Sequence, residues 1–284
     1  TKRNYYIENL QKIFDDDHIK VIYTKEDLEN FRNEVNNGNS FSDMYIYLAN
    51  DMILEEGSEW NPIGKYFADN NATSKPFNGI FDGNNHKIEN LHINNENEKY
   101  NGLFGYNTGK IKNIQISTTS NIVGNGNEGA IVGYNKGEIS SCISQAKIQS
   151  TGNNVGGVVG KNEGDVIGCK NIGTIINSAQ TTGGVVGWNC KNGIIENCYN
   201  EGNISTLYQM VGGIAGSNDG TVRKSWNKAN IQTTSYTIGG IVGSNNGTIE
   251  ETYNQRKCDF FRLFFQFSRN NEFVNRRDSR RQLC

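Results

Sequence analysis

GGIVGSNNGTIE, residues 239–250, decides how this chain is read, because five earlier segments spell variants of it at nearly constant distance. Taking the last glycine of each G-x-[IVF]-[VAF]-G-like box as an anchor gives Gly105, Gly133, Gly160, Gly187, Gly216 and Gly243, separated by 28, 27, 27, 29 and 27 residues. The 29 reflects two extra residues in WNCKNG where the neighbouring unit has KNEG. Two past each anchor stands asparagine: Asn107, Asn135, Asn162, Asn189, Asn218 and Asn245. Four past comes glycine, as in Gly137 and Gly164, and six past a β-branched aliphatic (Ile111, Ile139, Val166, Ile195, Val222, Ile249). Nine past sits a small or apolar residue: Ile114, Cys142, Cys169, Cys198, Ser225 and Thr252. A fixed period of this length marks units that bury their apolar face only against their neighbours.

Short β-branched runs, glycine corners and no helical period predict an all-β chain. The expected fold is a right-handed parallel β-helix (solenoid) of about 27-residue coils with a short N-terminal capping helix, equivalent positions stacking ~4.8 Å apart. The aliphatic columns then fill the lumen. The asparagine column is read as structural, since stacked amides donate and accept along the axis and close a row of turn hydrogen bonds. The GG pairs, such as Gly156/Gly157 and Gly183/Gly184, mark corners needing either φ > 0 or close backbone approach. They are not phosphate loops, because neither the dinucleotide strand-then-helix context nor a Walker lysine accompanies them.

The expected organisation has four parts. Residues 1–23 are a loose polar lead-in around Asp15, Asp16 and Asp17. Residues 24–59 form an N-terminal cap. TKEDLENFRNEVNNG (24–38) opens with a capping box, Thr24 and Asp27, and places Leu28, Phe31 and Val35 on one helical face that would cover the solenoid's open end. MYIYLANDMIL (44–54) reads as a strand leading into the coils. Residues 60–255 are the β-helix, with six units from about 102, preceded by PFNGIFDGNNHKIENLHI (76–93) with its tight DG turn. Asp82 in that turn reads as a turn residue rather than a base.

Residues 256–284 differ in kind. All 33 glycines precede Arg256, while the tail carries 8 basic against 3 acidic groups, net +5, and the first 255 residues carry 20 against 27, net −7. Back-translated and read one nucleotide later, the tail can spell GNVTSSGYSSNFQGTTNLLIGGIAGDNY, which restores a GGIAG box with asparagine two beyond it. The tail is therefore expected to be a frameshifted, disordered version of a further coil.

Composition sets the outer limits. The chain has 284 residues, 35% hydrophobic, with 44 asparagines, two prolines and mean hydropathy −0.64, which suits a turn-dense β architecture. A net charge of −2 supplies no basic field for a nucleic acid, and no apolar run approaches a membrane span. Six cysteines are too sparse for a disulfide scaffold and show no CxxC spacing.

GGIVGSNNGTIE and its sisters, preceded by FNGIFDGNNHKIENLHI, resemble the GLUG-motif repeats of bacterial surface and secreted proteins, including regions flanking the catalytic domain of immunoglobulin A-specific metallopeptidases. The resemblance covers roughly residues 60 to 255. It implies an extracellular or cell-surface, non-catalytic stalk or adhesion module of a larger bacterial protein. Its partner would be host glycan or protein, or cell-wall polysaccharide. The peptidase zinc motif H-E-x-x-H is absent, since His18, His86 and His92 have no i, i+4 relation. No cofactor and no metal are expected.

Two surface features give the residues their functional readings. Tyr199, Trp226 and Tyr253, ten past their anchors apart from the insertion, would form a glycan-stacking strip if outward and a hydrophobic cover if inward. Glu138 and Asp165 share one column in adjacent coils and Glu163 lies beside them. A carbohydrate-active β-helix enzyme, lyase or hydrolase-like, would need such carboxylates to converge.

Overall fold

The structure, a computed structural model, describes residues 16–68, 73–96, 98–178, 180–207, 210–234, 237–255 and 258–260. One circuit of the chain is a series of very short strands: Tyr100–Asn101, Phe104–Asn107, Lys110–Lys112, Gln115–Ile116 and Asn121–Gly124. The next circuit starts at Asn127–Glu128, which pairs in parallel with Tyr100–Asn101. Repetition over about eight turns builds five parallel sheets of nine, eight, seven, six and six strands. The expected parallel β-solenoid is the observed fold.

Register follows the sequence columns. Asn135 stands opposite Asn107 and Asn162, and Ile139 opposite Ile111 and Val166. Because side chains alternate across a strand, only every second position points inward. Ile111, Ile139, Val166, Ile195 and Val222 accordingly fill the lumen with no exposure. The nine-past column follows them inside, with Cys142, Cys169 and Cys198 fully buried as free thiols that donate to backbone carbonyls.

Glycine at four past the anchor is required by space. A Cβ on Gly137 would lie 2.0 Å from the Gly109 carbonyl oxygen of the preceding coil. The left-handed corner lies elsewhere, eight past the anchor in the sequence's own count: Asn113, Ser141, Gly168, Asn197 and Lys224 all have φ between 49 and 61. Glycine fills that column only once, at Gly168, so the corner is invisible to a search for glycines.

At the N-terminal end the capping box forms as expected. The helix α1 (Lys25–Asn36) starts at Thr24, whose hydroxyl accepts from the Asp27 N–H while the Asp27 carboxylate accepts from the Thr24 N–H. Leu28, Phe31 and Val35 are buried, and Phe31 meets Phe41, Phe77 and Phe81 at ring separations of 5.0, 5.7 and 5.8 Å. Asn36 fastens the helix end, donating to the Pro62 carbonyl and accepting from the Gly64 N–H. The helix therefore roofs the lumen.

Three expectations about boundaries are corrected. The lead-in is not loose throughout: β1 (Ile19–Ile22) pairs in parallel with β2 (Tyr45–Leu48) and forms the outer strand of the nine-stranded sheet. Its β-branched run IKVI presents Ile22 to the core, and residues 1–15 lie outside the described residues. The solenoid also starts before residue 60, because β2 and β3 (Met52–Ile53) already belong to the nine- and eight-stranded sheets. In the tail, Cys258–Phe260 pairs in parallel with Ile231–Thr233 and extends the seven-stranded sheet. Main-chain pairing makes little demand on side-chain identity, and Cys258 falls one 27-residue period after Ile231. The rest of the tail, 256–257 and 261–284, lies outside the described residues.

Candidate functional site

The six asparagines form a continuous ladder. Asn107 Nδ2 donates to Asn135 Oδ1 at 2.7 Å, and the same bond recurs from Asn135 to Asn162, Asn162 to Asn189, Asn189 to Asn218 (2.8 Å each) and Asn218 to Asn245 (2.7 Å). Each amide also closes its own turn. Asn162 accepts from the Gly164 N–H and donates to the Gly164 carbonyl. With both amide groups engaged and the first five members at 0% exposure, this column has no atoms left for a ligand.

A second ladder went unread in the sequence. Asn171 donates to Asn200 at 2.8 Å, Asn200 to Asn227 at 3.1 Å and Asn227 to Asn254 at 2.9 Å. Its signal was available as Asn two past each member of the nine-past column from Cys169 onward. The second glycine of each GG pair packs against it: a Cβ on Gly184 would lie 2.3 Å from Asn200 Nδ2. The GG corners are thus sites of close approach, and none of these glycines has positive φ.

Tyr199, Trp226 and Tyr253 do face outward, in one column of the eight-stranded sheet. Tyr199 and Trp226 stack at 4.9 Å with planes 10° apart, and the Lys170 ammonium lies 5.0 Å from the centre of the Tyr199 ring. In this pair the rings serve as each other's stacking partner. Tyr253, at 63% exposure, is the member with open surface.

The three carboxylates do not form one cluster. Glu138 and Asp165 are register neighbours, and burial followed by the Glu138 charge pushes Asp165 above its ordinary value. Glu138 is paired with Lys110 at 3.2 Å. Glu163 belongs to a different surface: its Oε1 accepts from the Tyr134 hydroxyl at 2.7 Å and pairs with Lys161 at 2.9 Å, while Oε2 meets Lys136 at 3.6 Å. Burial raises Glu163, but the Tyr134 hydroxyl and Lys161 outweigh it and hold the carboxylate below its ordinary value. The corner explains the split, since Glu163 stands in the turn between the strands Val159–Asn162 and Asp165–Ile167, which belong to different sheets. An open groove of about 450 Å³ is lined by Asp43, Lys110, Glu138 and the glycines Gly79, Gly109 and Gly137, and Glu138 within it is already paired with Lys110.

The surface Glu163 joins was also missed. One past each anchor, Tyr106, Tyr134, Lys161 and Trp188 stand in register. Tyr66 closes over Tyr100, Tyr106 and Tyr134 at 4.9 to 5.2 Å, and Lys161 lies 4.3 Å from the Tyr134 ring centre. Asp82 is not in the turn but ends the strand Ile80–Asp82; fully buried, it accepts from the Tyr45 hydroxyl, Asn113 Nδ2 and the Asn84 N–H of the turn that follows, and it pairs with Lys112 at 3.3 Å. Among the described residues no three His, Cys, Asp or Glu side chains are grouped to hold a metal, and no helix is long and apolar enough to cross a membrane.

Comparisons with known proteins agree with the geometry. A search of curated proteins finds no match. A solved structure described as a "putative immunoglobulin A1 protease from Bacteroides ovatus" is similar in fold, with TM-score 0.69 and 22% identity over 84% of this chain and 75% of that chain. The family model "The GLUG motif" matches residues 178–205, one full circuit that contains the Gly183–Gly187 box. The chain is thus a parallel β-helix that carries the GLUG motif.

Proposed function

We propose that this chain is a non-catalytic module of a bacterial secreted or cell-surface protein. It is a stiff solenoid segment whose outer column of Tyr199, Trp226 and Tyr253 contacts a polysaccharide of the host or the cell wall. The observation that carries this reading is the outward aromatic column, in which Tyr199, Trp226 and Tyr253 stand in register and Tyr199 and Trp226 stack. A pyranose ring packs its C–H face against an aromatic face, and Tyr253 offers that face beside the rigid stack. Glu138 and Asp165 meet on one sheet, but Glu163 stands apart in its own cluster with Tyr134, Lys161 and Lys136, so the three carboxylates do not form the constellation the enzyme alternative calls for.

The test is retention on immobilised polysaccharides. Trp226→Ala and Tyr253→Ala are expected to weaken retention while Tyr253→Ala leaves the melt unchanged, since its side chain is exposed and contributes little to the core. Equal retention of both variants removes the glycan reading. Cleavage of a polysaccharide that is lost in a Glu138→Gln, Asp165→Asn double variant would establish the enzyme alternative instead.

A further inference from the structure

The lumen is polar at one corner, between the seven-stranded sheet and the six-stranded sheet that contains Asn127–Glu128. Glu128 stands in an inward column whose other members include Val155, Thr182 and Val211, and it is fully buried. Its Oε1 accepts from the Gly126 N–H at 2.6 Å and from Asn101 Nδ2 at 3.4 Å, and its Oε2 lies 2.6 Å from Ser150 Oγ. Space is cleared for it, since a Cβ on Gly124 would come within 2.5 Å of Oε1. No cation reaches it among the described residues.

Burial without a counter-charge, together with the contacts of Ser150, bears on the state of this carboxyl. Ser150 Oγ accepts from the Gly152 N–H at 2.8 Å and lies 2.6 Å from Glu128 Oε2 and 3.2 Å from the Gly124 carbonyl oxygen. A hydroxyl has one proton to donate, and because the Gly124 carbonyl already accepts from the Thr151 N–H at 3.0 Å, that proton leaves either state of the carboxyl satisfied; what disfavours the ionised state is full burial without a counter-charge. A second proton on the carboxyl satisfies all three atoms in sequence. We infer that Glu128 is carried as a neutral carboxylic acid, donating through Oε2 to Ser150 while Ser150 donates to the Gly124 carbonyl, and that its ionisation loosens this corner of the solenoid.

The surroundings support it. Burial is the leading influence on Glu128 and raises its affinity for the proton. Among titratable groups on the packed elements, Tyr100 is engaged with Tyr66 and Tyr134 outside, and Glu98 is paired with Lys65 at 3.1 Å. Lys99 contributes its carbonyl to Asn127, and Lys147 is exposed. The strands Asn121–Gly124, Asn154–Gly156 and Thr181–Gly183 bring no titratable side chain. An open groove of about 440 Å³ lined by Glu96, Gly124, Ser150 and Thr151 lies beside Ser150, and Glu96 is the one further titratable side chain along it. The sign follows: a carboxyl that binds its proton more tightly folded than unfolded contributes most at low pH, and that contribution declines as pH rises through the folded value. An ionised Glu128 would sit in the lumen without a counter-charge.

Two measurements test this. The infrared spectrum at neutral pH is expected to show a protonated-carboxyl band that Glu128→Gln removes and Asp165→Asn does not. Amide exchange over 124–128 and 148–152, corrected for intrinsic rates, is expected to rise in the wild type as pH climbs through and above the ordinary carboxylate range and to stay flat in Glu128→Gln. The variant keeps an acceptor for Gly126 and supplies a permanent donor for Ser150. Absence of the protonated band, or the same pH profile in both proteins, overturns the inference. If Glu128→Gln does not fold, the wild-type band decides alone: it must persist well above the ordinary carboxylate range.

Discussion

At Ser141 and Lys224 the chain accepts a left-handed backbone without glycine, with φ of 54 and 49. L-residues lose about 1–2 kcal/mol in that region, and Gly168 shows that glycine fits the column. Ser141→Gly is therefore expected to stabilise by about 0.5–1 kcal/mol after the entropy of the freer unfolded chain is subtracted, read as a higher melting temperature. Asn162 illustrates the opposite case. Its amide bonds Asn135, Asn189 and the Gly164 backbone inside the ladder, so Asn162→Leu leaves those partners unpaired and should cost about 1–3 kcal/mol. A melt unchanged by Asn162→Leu would mean that water serves the column. These two residue types were unequally legible: the ladder announces itself as one invariant letter, whereas the left-handed corner admits Asn, Ser, Gly and Lys, because the requirement lies in φ and several side chains tolerate it.

Among elements, α1 and the Glu138–Asp165 rung behave as local units. The Thr24 hydroxyl satisfies the Asp27 N–H at the start of a helix that roofs the lumen. Thr24→Ala should cost about 1 kcal/mol and raise exchange first in α1. On the nine-stranded sheet, like charges stand directly opposite at Glu138 and Asp165. Asp165 is raised by burial and then by Glu138, so its ionised form is the destabilised one. Its contribution is greatest below the ordinary Asp value and falls as pH climbs through the raised folded value. Asp165→Asn should stabilise by a few tenths to about 1 kcal/mol at neutral pH and by little in acid, the figure kept small because water screens a partly exposed pair. Equal effects at both pH values would assign the change to packing.

The whole molecule is a one-dimensional stack, so its register is the property most open to test. Removing residues 160–186, one 27-residue period from Gly160 to Gly187, joins equivalent positions and should leave a folded solenoid with the same circular dichroism per residue. Removing roughly half a period places outward residues in the lumen and should abolish the cooperative melt of everything beyond the junction. A half-period deletion that melts as well as the full-period one would show that coils are not registered by their inward columns.

The sequence by itself determined the period, the inward aliphatic columns, the first asparagine ladder and the capping box of α1. Each of these is a local rule repeated, and repetition at 27 residues converts a local pattern into a three-dimensional one. Tertiary structure alone decided which outward residues meet. Glu163 lies two residues from Asp165 yet bonds Tyr134 and Lys161, because neighbouring turn and strand positions point to different faces and their partners come from adjacent coils. It likewise decided that stacking along the axis sets a face of Tyr199 against a face of Trp226, and that Glu128, an ordinary surface letter in the sequence, is buried in the lumen beside Ser150. A repeat specifies its own stacking, but the exceptions within it acquire a role only from the coils above and below.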